Sequence, residues 1–356
     1  MMIQTFSSTI RRKEMDAVLT CMVDEKLGPG ELNGKLIQTV KEFTGCDGAV
    51  AFRSPAVAFS YVVKALDLEQ GASVMISALA PSWHYSAVKN LGFTPLVLDV
   101  QEDDGLVSVE SVQEGIKNGG RILLLHETMG ILPDLEKIIA TGVPVIEDIS
   151  HSVGSVYSLS ASEESQAKPE DLQKKAGMLG LYSILGLEAN DTVTAGGGAV
   201  LIAPKRREWS ILKKFTDEAP ETDILPDMNS ALGFIQLKEF NRNEEIRKSL
   251  YGIFTKSLSS GKNKTFSRSE ENPSTIWSFP VVLNGSFKDA KQYASRKEIE
   301  IRPAYEKSVI SVLGEDEQSK YIHAKSLFLR CVLFPLYPRL GSESATKIAK
   351  VLGTLP

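Results

Sequence analysis

A short acidic segment at the end of an apolar run carries the residue types with the clearest chemistry in this sequence. The stretch VIEDISHSVGS at 145–155 places Glu147, Asp148 and His151 directly after aliphatic residues. A carboxylate at the end of a buried strand needs a partner or a functional role, because an unpaired charge is costly in the protein interior. Carboxylates and imidazoles are also common general acids and bases. The segment therefore predicts a site around Asp148.

Other chemically suggestive patterns have simpler explanations. The triple glycine at 196–198 has the spacing of neither a dinucleotide-binding loop nor a P-loop and precedes a strand, so it predicts a tight turn. No cluster of histidine, cysteine and carboxylate has metal-ligand spacing, and the sequence predicts no metal site. The four histidines are scattered along the chain, at His84, His126, His151 and His323.

The elements that must position Asp148 follow an alternating pattern. From residue 48 to 203, short apolar runs alternate with longer amphipathic ones, such as the helical stretches 56–66 and 134–140. Strands without polar alternation are buried on both faces, as in a parallel sheet covered by helices. The fold class is therefore α/β, with a mainly parallel sheet. The predicted strands are 49–52, 73–78, 95–100, 121–127, 143–149, 179–184 and 198–203.

Two domains are expected from the change of pattern along the chain. Residues 1–245 form the large domain, and residues 246–356 form a smaller α+β domain. A long helical stretch at 226–258 leads out of the large domain. The polar segment 158–175 has few large apolar groups and predicts an exposed insertion.

Composition sets limits on the class of partner. The 356 residues carry a formal charge of −5, which argues against a general nucleic-acid binder. Three distant cysteines, Cys21, Cys46 and Cys331, predict reduced thiols rather than a disulfide framework. No apolar stretch approaches the length of a membrane span, so we expect no membrane partner and a cytoplasmic location.

Several segments together resemble the nucleotide-sugar aminotransferases of the DegT family, which are fold-type-I pyridoxal-phosphate (PLP) enzymes. Besides VIEDISHSVGS, the resemblance lies in GILPDLEKI at 130–138, LPDMNSALGFIQLKEF at 225–240 and VLFPLYPRL at 332–340. It extends over nearly the whole chain. It implies a fold-type-I aminotransferase-like structure, a homodimer and a nucleotide-sugar ligand.

The same resemblance assigns roles around the cofactor. Asp148 matches the acid that keeps the pyridinium nitrogen protonated, and His151 falls where relatives place Gln or His near the ring hydroxyl. Without the resemblance, a carboxylate that caps the next turn would be the preferred explanation of Asp148. The ring-stacking aromatic aligns with Pro81, and a shift of two residues would supply Trp83 instead. Trp83 is also explained by packing at the start of its helix.

The Schiff-base lysine of the family has no counterpart here. The matching stretch, YSILGLEANDTVTAGGGAV, aligns Glu188 or Asn190 with the lysine position, depending on the end from which residues are counted. Neither side chain can form an imine with an aldehyde. PLP or its amine form, PMP, is compatible with the resemblance, but covalent attachment is not expected. Glu188 could act as a base, as histidine does in dehydratase-like relatives, or it is simply an exposed loop residue.

The expected phosphate site is also reduced. The family's Ser-Gly-Thr turn reads Ser54, Pro55 and Ala56, so proline removes a backbone donor and alanine removes a hydroxyl. Ser183 still offers a hydroxyl. The partner-subunit segment Asn-x-Arg reads Thr-Asp-Ile at 222–224.

These losses leave three hypotheses. The chain is a degenerate binding or regulatory homologue linked to nucleotide-sugar or surface-polysaccharide metabolism, which the combined losses favour. Alternatively, it is a PLP- or PMP-dependent aminotransferase acting on a nucleotide-linked keto sugar, with Lys174 or Lys175 as a replacement lysine. The third is a lysine-independent enzyme that uses Asp148, His151 and Glu188.

Overall fold

A computed structural model describes residues 2–160, 172–269 and 271–356. Its α-helices are α1 Arg12–Val23, α2 Glu31–Thr44, α3 Pro55–Ala65, α4 Ser82–Asn90, α5 Val109–Lys117, α6 Leu135–Ala140, α7 Arg206–Thr216, α8 Asp227–Lys238, α9 Phe240–Leu258, α10 Phe287–Arg296, α11 Glu315–Gln318, α12 Ile322–Arg330 and α13 Ser342–Leu352. Its strands are β1 Gly48–Phe52, β2 Ser73–Ser77, β3 Thr94–Leu98, β4 Gly120–His126, β5 Val145–Asp148, β6 Val156–Ser158, β7 Gln173–Lys175, β8 Tyr182–Gly186, β9 Ala199–Ala203, β10 Phe279–Val282, β11 Arg302–Pro303 and β12 Cys331–Phe334.

The large domain is organised around a seven-stranded sheet with the strand order β1-β9-β8-β5-β4-β2-β3. The neighbours from β8 through β5, β4 and β2 to β3 are all parallel, whereas β9 is antiparallel to both β8 and β1. The carboxyl ends of the parallel strands consequently meet at one edge of the sheet, which is where open α/β sheets bind ligands. The predicted α/β fold with a mainly parallel sheet is confirmed.

Successive side chains of the central strands point to opposite faces of the sheet, and both faces are buried. Leu123 and Leu125 of β4 pack in one apolar core, while Ile122 and Leu124 pack in the other. This arrangement explains why the strands read as continuous apolar runs. A third core belongs to the smaller sheet β10-β12-β11 and the helices around it.

The predicted strands of the large sheet are confirmed, with ends that shift by a few residues. The stretch 226–258 is two helices, α8 and α9, that are divided at Glu239. Three residues of α9, Leu250, Phe254 and Leu258, pack in the core of the smaller sheet, so the second half of this helix packs against that sheet.

The ends of the predicted polar insertion form a short antiparallel pair, β6 and β7, while residues 161–171 lie outside the described residues. The glycines at 196–198 all have positive φ and lead into β9, as a tight turn requires. A side chain at Gly198 would approach Leu225 to 2.4 Å.

The three cysteines are free and buried, as predicted. Among the described helices, none combines the length and the apolar character that crossing a bilayer would require.

Candidate functional site

Asp148 and His126 are neighbours because two adjacent parallel strands end at the same level. In the register of β4 and β5, His126 lies opposite Asp148. The helix α4, which follows β2, adds His84 from above the same edge of the sheet. The His84 Nε2 atom lies 2.8 Å from Asp148 Oδ2, and His126 Nδ1 lies 3.0 Å from the same oxygen.

The other oxygen of the Asp148 carboxylate is also occupied. Asp148 Oδ1 accepts hydrogen bonds from the Ser150 backbone N–H at 3.1 Å and from the Ser150 hydroxyl at 2.5 Å. Burial by itself would raise the pKa of Asp148, but the charge of His126 and the hydrogen bonds from His126 and His84 outweigh it and hold this pKa well below its usual range. Asp148 is therefore ionised.

An ionised Asp148 sets the hydrogen positions on both imidazoles. His84 Nε2 and His126 Nδ1 must each carry a hydrogen in order to donate to the carboxylate. Burial lowers the pKa of His84, against the opposing effect of Asp148, so His84 is neutral. Its Nδ1 atom is consequently a bare acceptor, and it is buried without a hydrogen-bonding partner.

A cavity of about 230 Å³ opens beside this cluster, between the large sheet and the small domain. Its walls include side chains of both domains, among them Trp83, His126, His151, Asp191, Trp277 and Tyr305. The His151 ring is stacked on Trp277, with centroids 3.7 Å apart and an interplanar angle of 14°. The Trp277 indole N–H donates to the Asn190 carbonyl at 2.7 Å, so it also ties the loop after β8 to the small domain.

The two residues aligned with the missing lysine, Glu188 and Asn190, both line the cavity. The Glu188 side chain is exposed, and its backbone N–H donates to Asp191 Oδ2 at 2.7 Å. Burial raises the pKa of Asp191 to about 8, and the negative charge of Asp148 adds to this effect. Asp191 is thus a carboxyl group of this loop that is held neutral near pH 7.

The residues predicted to contact the phosphate are engaged elsewhere. The Ser54 hydroxyl caps its own helix, α3, by accepting from the Val57 N–H at 3.2 Å, and Ala56 lies in the first turn of that helix. Ser183 is fully buried and donates to the Gly177 carbonyl at 2.9 Å. Of the predicted cofactor contacts, Trp83 and His151 line the cavity, and Asp148 lies behind its lining residue His126. Ser54, Ala56 and Ser183 are not among the lining residues.

The arrangement does not fit PLP as a cofactor site. A pyridinium N–H needs a free carboxylate lone pair, but Asp148 already accepts four hydrogen bonds from His84, His126 and Ser150. The hydroxyls expected at the phosphate bond to backbone groups of their own surroundings. The chain also has no lysine between residues 176 and 204.

The lysines proposed as replacements do not reach the cavity. Lys175 lies over the Phe43 ring and donates to the Phe43 carbonyl. Lys307 is the lysine among the described residues that line the cavity, and its side chain is exposed.

Sequence reasoning missed much of this cluster. The four histidines are far apart in the sequence, yet three of them lie close together in the structure. His126 bonds to Asp148, and its ring lies 5.9 Å from His84 and 4.7 Å from His151. The position of His126 at the end of a predicted strand was a usable signal, since parallel strands end at one edge of a sheet. Nothing in the local sequence distinguishes Asp191 or Trp277.

Comparison with known proteins identifies the family to which this chain is similar. The model of the DegT/DnrJ/EryC1/StrS aminotransferase family matches residues 8–353. GDP-perosamine synthase of Escherichia coli O157:H7 is 20% identical over 367 residues, which cover 98% of this chain and 97% of that protein.

Two solved structures show the same fold. The aminotransferase from Psychrobacter cryohalolentis has a TM-score of 0.84 and 16% identity, and the match covers 97% of each chain. The E. coli GDP-4-keto-6-deoxy-D-mannose-3-dehydratase with bound hydrated PLP has a TM-score of 0.82 and 16% identity, with coverage of 99% of this chain and 100% of that one. The chain belongs to the DegT/DnrJ/EryC1/StrS aminotransferase family.

Proposed function

We propose that this chain is a degenerate member of its family that binds a nucleotide-linked sugar and does not transaminate through a Schiff base. The hydrogen-bonding of Asp148 carries the proposal, because His84, His126 and Ser150 occupy both oxygens that a cofactor ring would need. The absence of a lysine from residues 176–204 points the same way. Imine exchange and proton transfer both depend on that amine.

The cavity supports a ligand of this class. Trp83 and Trp277 offer flat apolar surfaces on which a base or sugar ring can pack. Arg302 and Lys307 are exposed at the same cavity and can attract a diphosphate. Relatives whose names refer to GDP-linked sugars make this chemistry the first to test.

A homodimer is part of the same proposal. The outer face of α1 presents Met15, Leu19 and Met22, each more than half exposed, at the i, i+4 and i+7 spacing of a single helix face. A mass measurement by light scattering tests the dimer. We expect a dimer for the unaltered chain and a monomer for Leu19→Asp, and a monomer for both would contradict this part of the proposal.

A lysine-independent enzyme is the second candidate, and Asp191 favours it. A carboxyl group with a pKa of about 8 can donate a proton at neutral pH, and Asp191 lines the cavity beside His151. Turnover of a nucleotide-linked keto sugar that is lost in Asp191→Asn would favour this function over simple binding.

Reduction with borohydride in the presence of PLP tests the loss of Schiff-base chemistry. We expect no yellow imine and no stable mass increase. Lys307→Arg is the control, since it removes the cavity lysine without removing its charge. A stoichiometric adduct that persists in Lys307→Arg would overturn the proposal.

Calorimetry with GDP-mannose and UDP-glucose tests the binding function. We expect at least one of them to bind, and Trp83→Ala to weaken that binding by about tenfold, through the loss of about 1.4 kcal/mol of stacking. Phe215→Ala changes an exposed aromatic of α7 and serves as the matched control. If neither compound binds, or if both variants have the same effect, the assignment of this ligand to the cavity is wrong.

A further inference from the structure

Three buried side chains at the carboxyl edge of the sheet have the composition of a metal site. We propose that His84, His126 and Asp148 bind one divalent transition-metal ion of the zinc class. The three potential ligand atoms, one from each residue, all lie within 4.8 Å of one another. Two imidazole nitrogens and one carboxylate oxygen form a ligand set that suits Zn²⁺ and its neighbours Co²⁺ and Ni²⁺.

The separations between the potential ligand atoms are close to those of a loaded site. Both imidazole nitrogens lie within 3.0 Å of Asp148 Oδ2. An ion with bonds of roughly 2.0–2.2 Å requires ligand atoms to be somewhat more than 3 Å apart in tetrahedral geometry. Both imidazole nitrogens would therefore move slightly away from Asp148 Oδ2, and the two nitrogens, which lie within 4.8 Å of each other, would move to a similar separation.

The site is rigid before any ion arrives. His84, His126 and Asp148 are at most 3% exposed, and they come from three separate elements, α4, β4 and β5. The Ser150 hydroxyl donates to Asp148 Oδ1 and accepts from the Gly186 N–H at 2.9 Å, which fixes the orientation of the carboxylate. Such outer contacts orient metal ligands and tune affinity.

Charge and proton positions also bear on the binding. The buried Asp148 carboxylate supplies a negative charge that attracts a cation into the site. Metal binding requires each imidazole hydrogen to move to its other nitrogen, which places one on His84 Nδ1. That atom has no partner among the described residues. We therefore expect a weaker site than one with a complete outer shell.

The cavity provides access to a remaining coordination position. His126 and Ser150 both line it. Three protein ligands with one position left for water or a ligand are typical of an open zinc site, whereas closed structural sites use four protein ligands. A hydroxyl or carbonyl group of a ligand in the cavity would then be within reach of the ion.

Titration of the untagged, chelator-treated protein with Co²⁺ tests the site. We expect one equivalent to bind with the visible ligand-field bands of a low-coordinate ion, Zn²⁺ to displace it, and the melting temperature to rise with metal concentration. Failure of the folded wild-type protein to bind one equivalent would overturn the proposal and would show that the three residues are only a hydrogen-bond network. This result does not depend on whether the protein binds PLP or a nucleotide sugar.

Variants locate the ion. We expect His84→Gln and His126→Gln each to abolish stoichiometric binding, and Ser150→Ala to weaken it roughly 10- to 100-fold. His323→Gln removes an exposed histidine and should bind like the wild type. Circular dichroism of the metal-free variants establishes whether they fold, and the wild-type titration decides the proposal if they do not. Unchanged Co²⁺ binding in folded His84→Gln and His126→Gln would refute the assignment.

Discussion

Glu147 and Asp148 are adjacent in β5, yet the pKa values of their carboxyl groups are shifted in opposite directions. Asp148 meets two imidazoles and a serine, and its pKa is held well below the usual range despite complete burial. Glu147 points to the other face of the sheet, where its charge adds to the burial that raises the pKa of Glu127. Burial raises the pKa of both glutamates. Neighbouring donors, rather than burial as such, decide whether a buried carboxyl group is charged.

Glu147 and Glu127 differ in the number of hydrogen bonds that their carboxyl groups accept. Glu147 accepts three backbone N–H groups, from Gly177, Leu179 and Gly180. One Glu127 oxygen accepts the Tyr157 hydroxyl at 2.8 Å, and the other has no hydrogen-bonding partner among the described residues. Because hydrogen bonds to the charged form favour it, Glu147 holds the negative charge and Glu127 the proton. The glutamate pair thus contains one protonated carboxyl group, whereas the carboxyl group of the Asp148 cluster is ionised.

Asp148→Asn should have the largest effect on stability. The amide cannot accept as many hydrogen bonds as the carboxylate, so it leaves imidazole donors unpaired in the interior. We expect a loss of about 3–5 kcal/mol in the free energy of unfolding, measured by urea denaturation at pH 7. His323→Gln is the matched surface control. A loss no larger than that of the control would show that Asp148 is not the centre of the cluster.

Ser150→Ala should have the next largest effect, because it removes a donor to Asp148 and the acceptor for the Gly186 N–H. The expected loss is about 1–3 kcal/mol, measured in the same way. Tyr157→Phe makes the corresponding change on the glutamate side and removes one hydrogen bond. We expect it to cost about 1 kcal/mol. Equal losses in the two variants would argue against the difference in charge between the two clusters.

Glu127→Gln should change how stability depends on pH more than it changes the stability measured at low pH. The folded-state pKa of Glu127 is raised, so above its ordinary pKa the unfolded state loses a proton that the folded state keeps. Wild-type stability due to this group is complete below that ordinary pKa and is lost as the pH rises toward and through the folded value. Glutamine does not titrate. The variant should therefore lose less stability than the wild type as the pH rises from about 5 to about 9. Parallel curves would contradict the assignment.

Asp191→Asn should give the smallest change in stability. It tests how burial affects a carboxyl group at the cavity. Burial raises the pKa of Asp191 to about 8, so its contribution to stability is present in acid and lost as the pH rises through that value. We expect the variant to match the wild type in acid and to melt at a higher temperature above pH 8. A lower melting temperature there would mean that the folded protein stabilises the ionised carboxylate, so that the pKa of Asp191 is not raised.

The local pattern of apolar residues was sufficient to predict the strands, but it was not sufficient to predict which residues form the site. The apolar runs such as RILLLHE predict buried strands because burial on both faces removes polar alternation, and β4 lies where that run predicts it. The same reasoning placed Asp148 at the carboxyl edge. It could not place His84, which reaches Asp148 across 64 residues of sequence, or Trp277, which comes from the small domain.

The amino-acid sequence by itself determined the α/β architecture, the family resemblance and the missing lysine, because each depends on residue types and spacings along the chain. Only the tertiary structure decided which groups surround each carboxyl group. His84, His126 and Ser150 converge on Asp148, while Glu127 meets Glu147 one residue away. Ionisation depends on distances and donors in three dimensions, and these are created when separate strands and helices pack against one another.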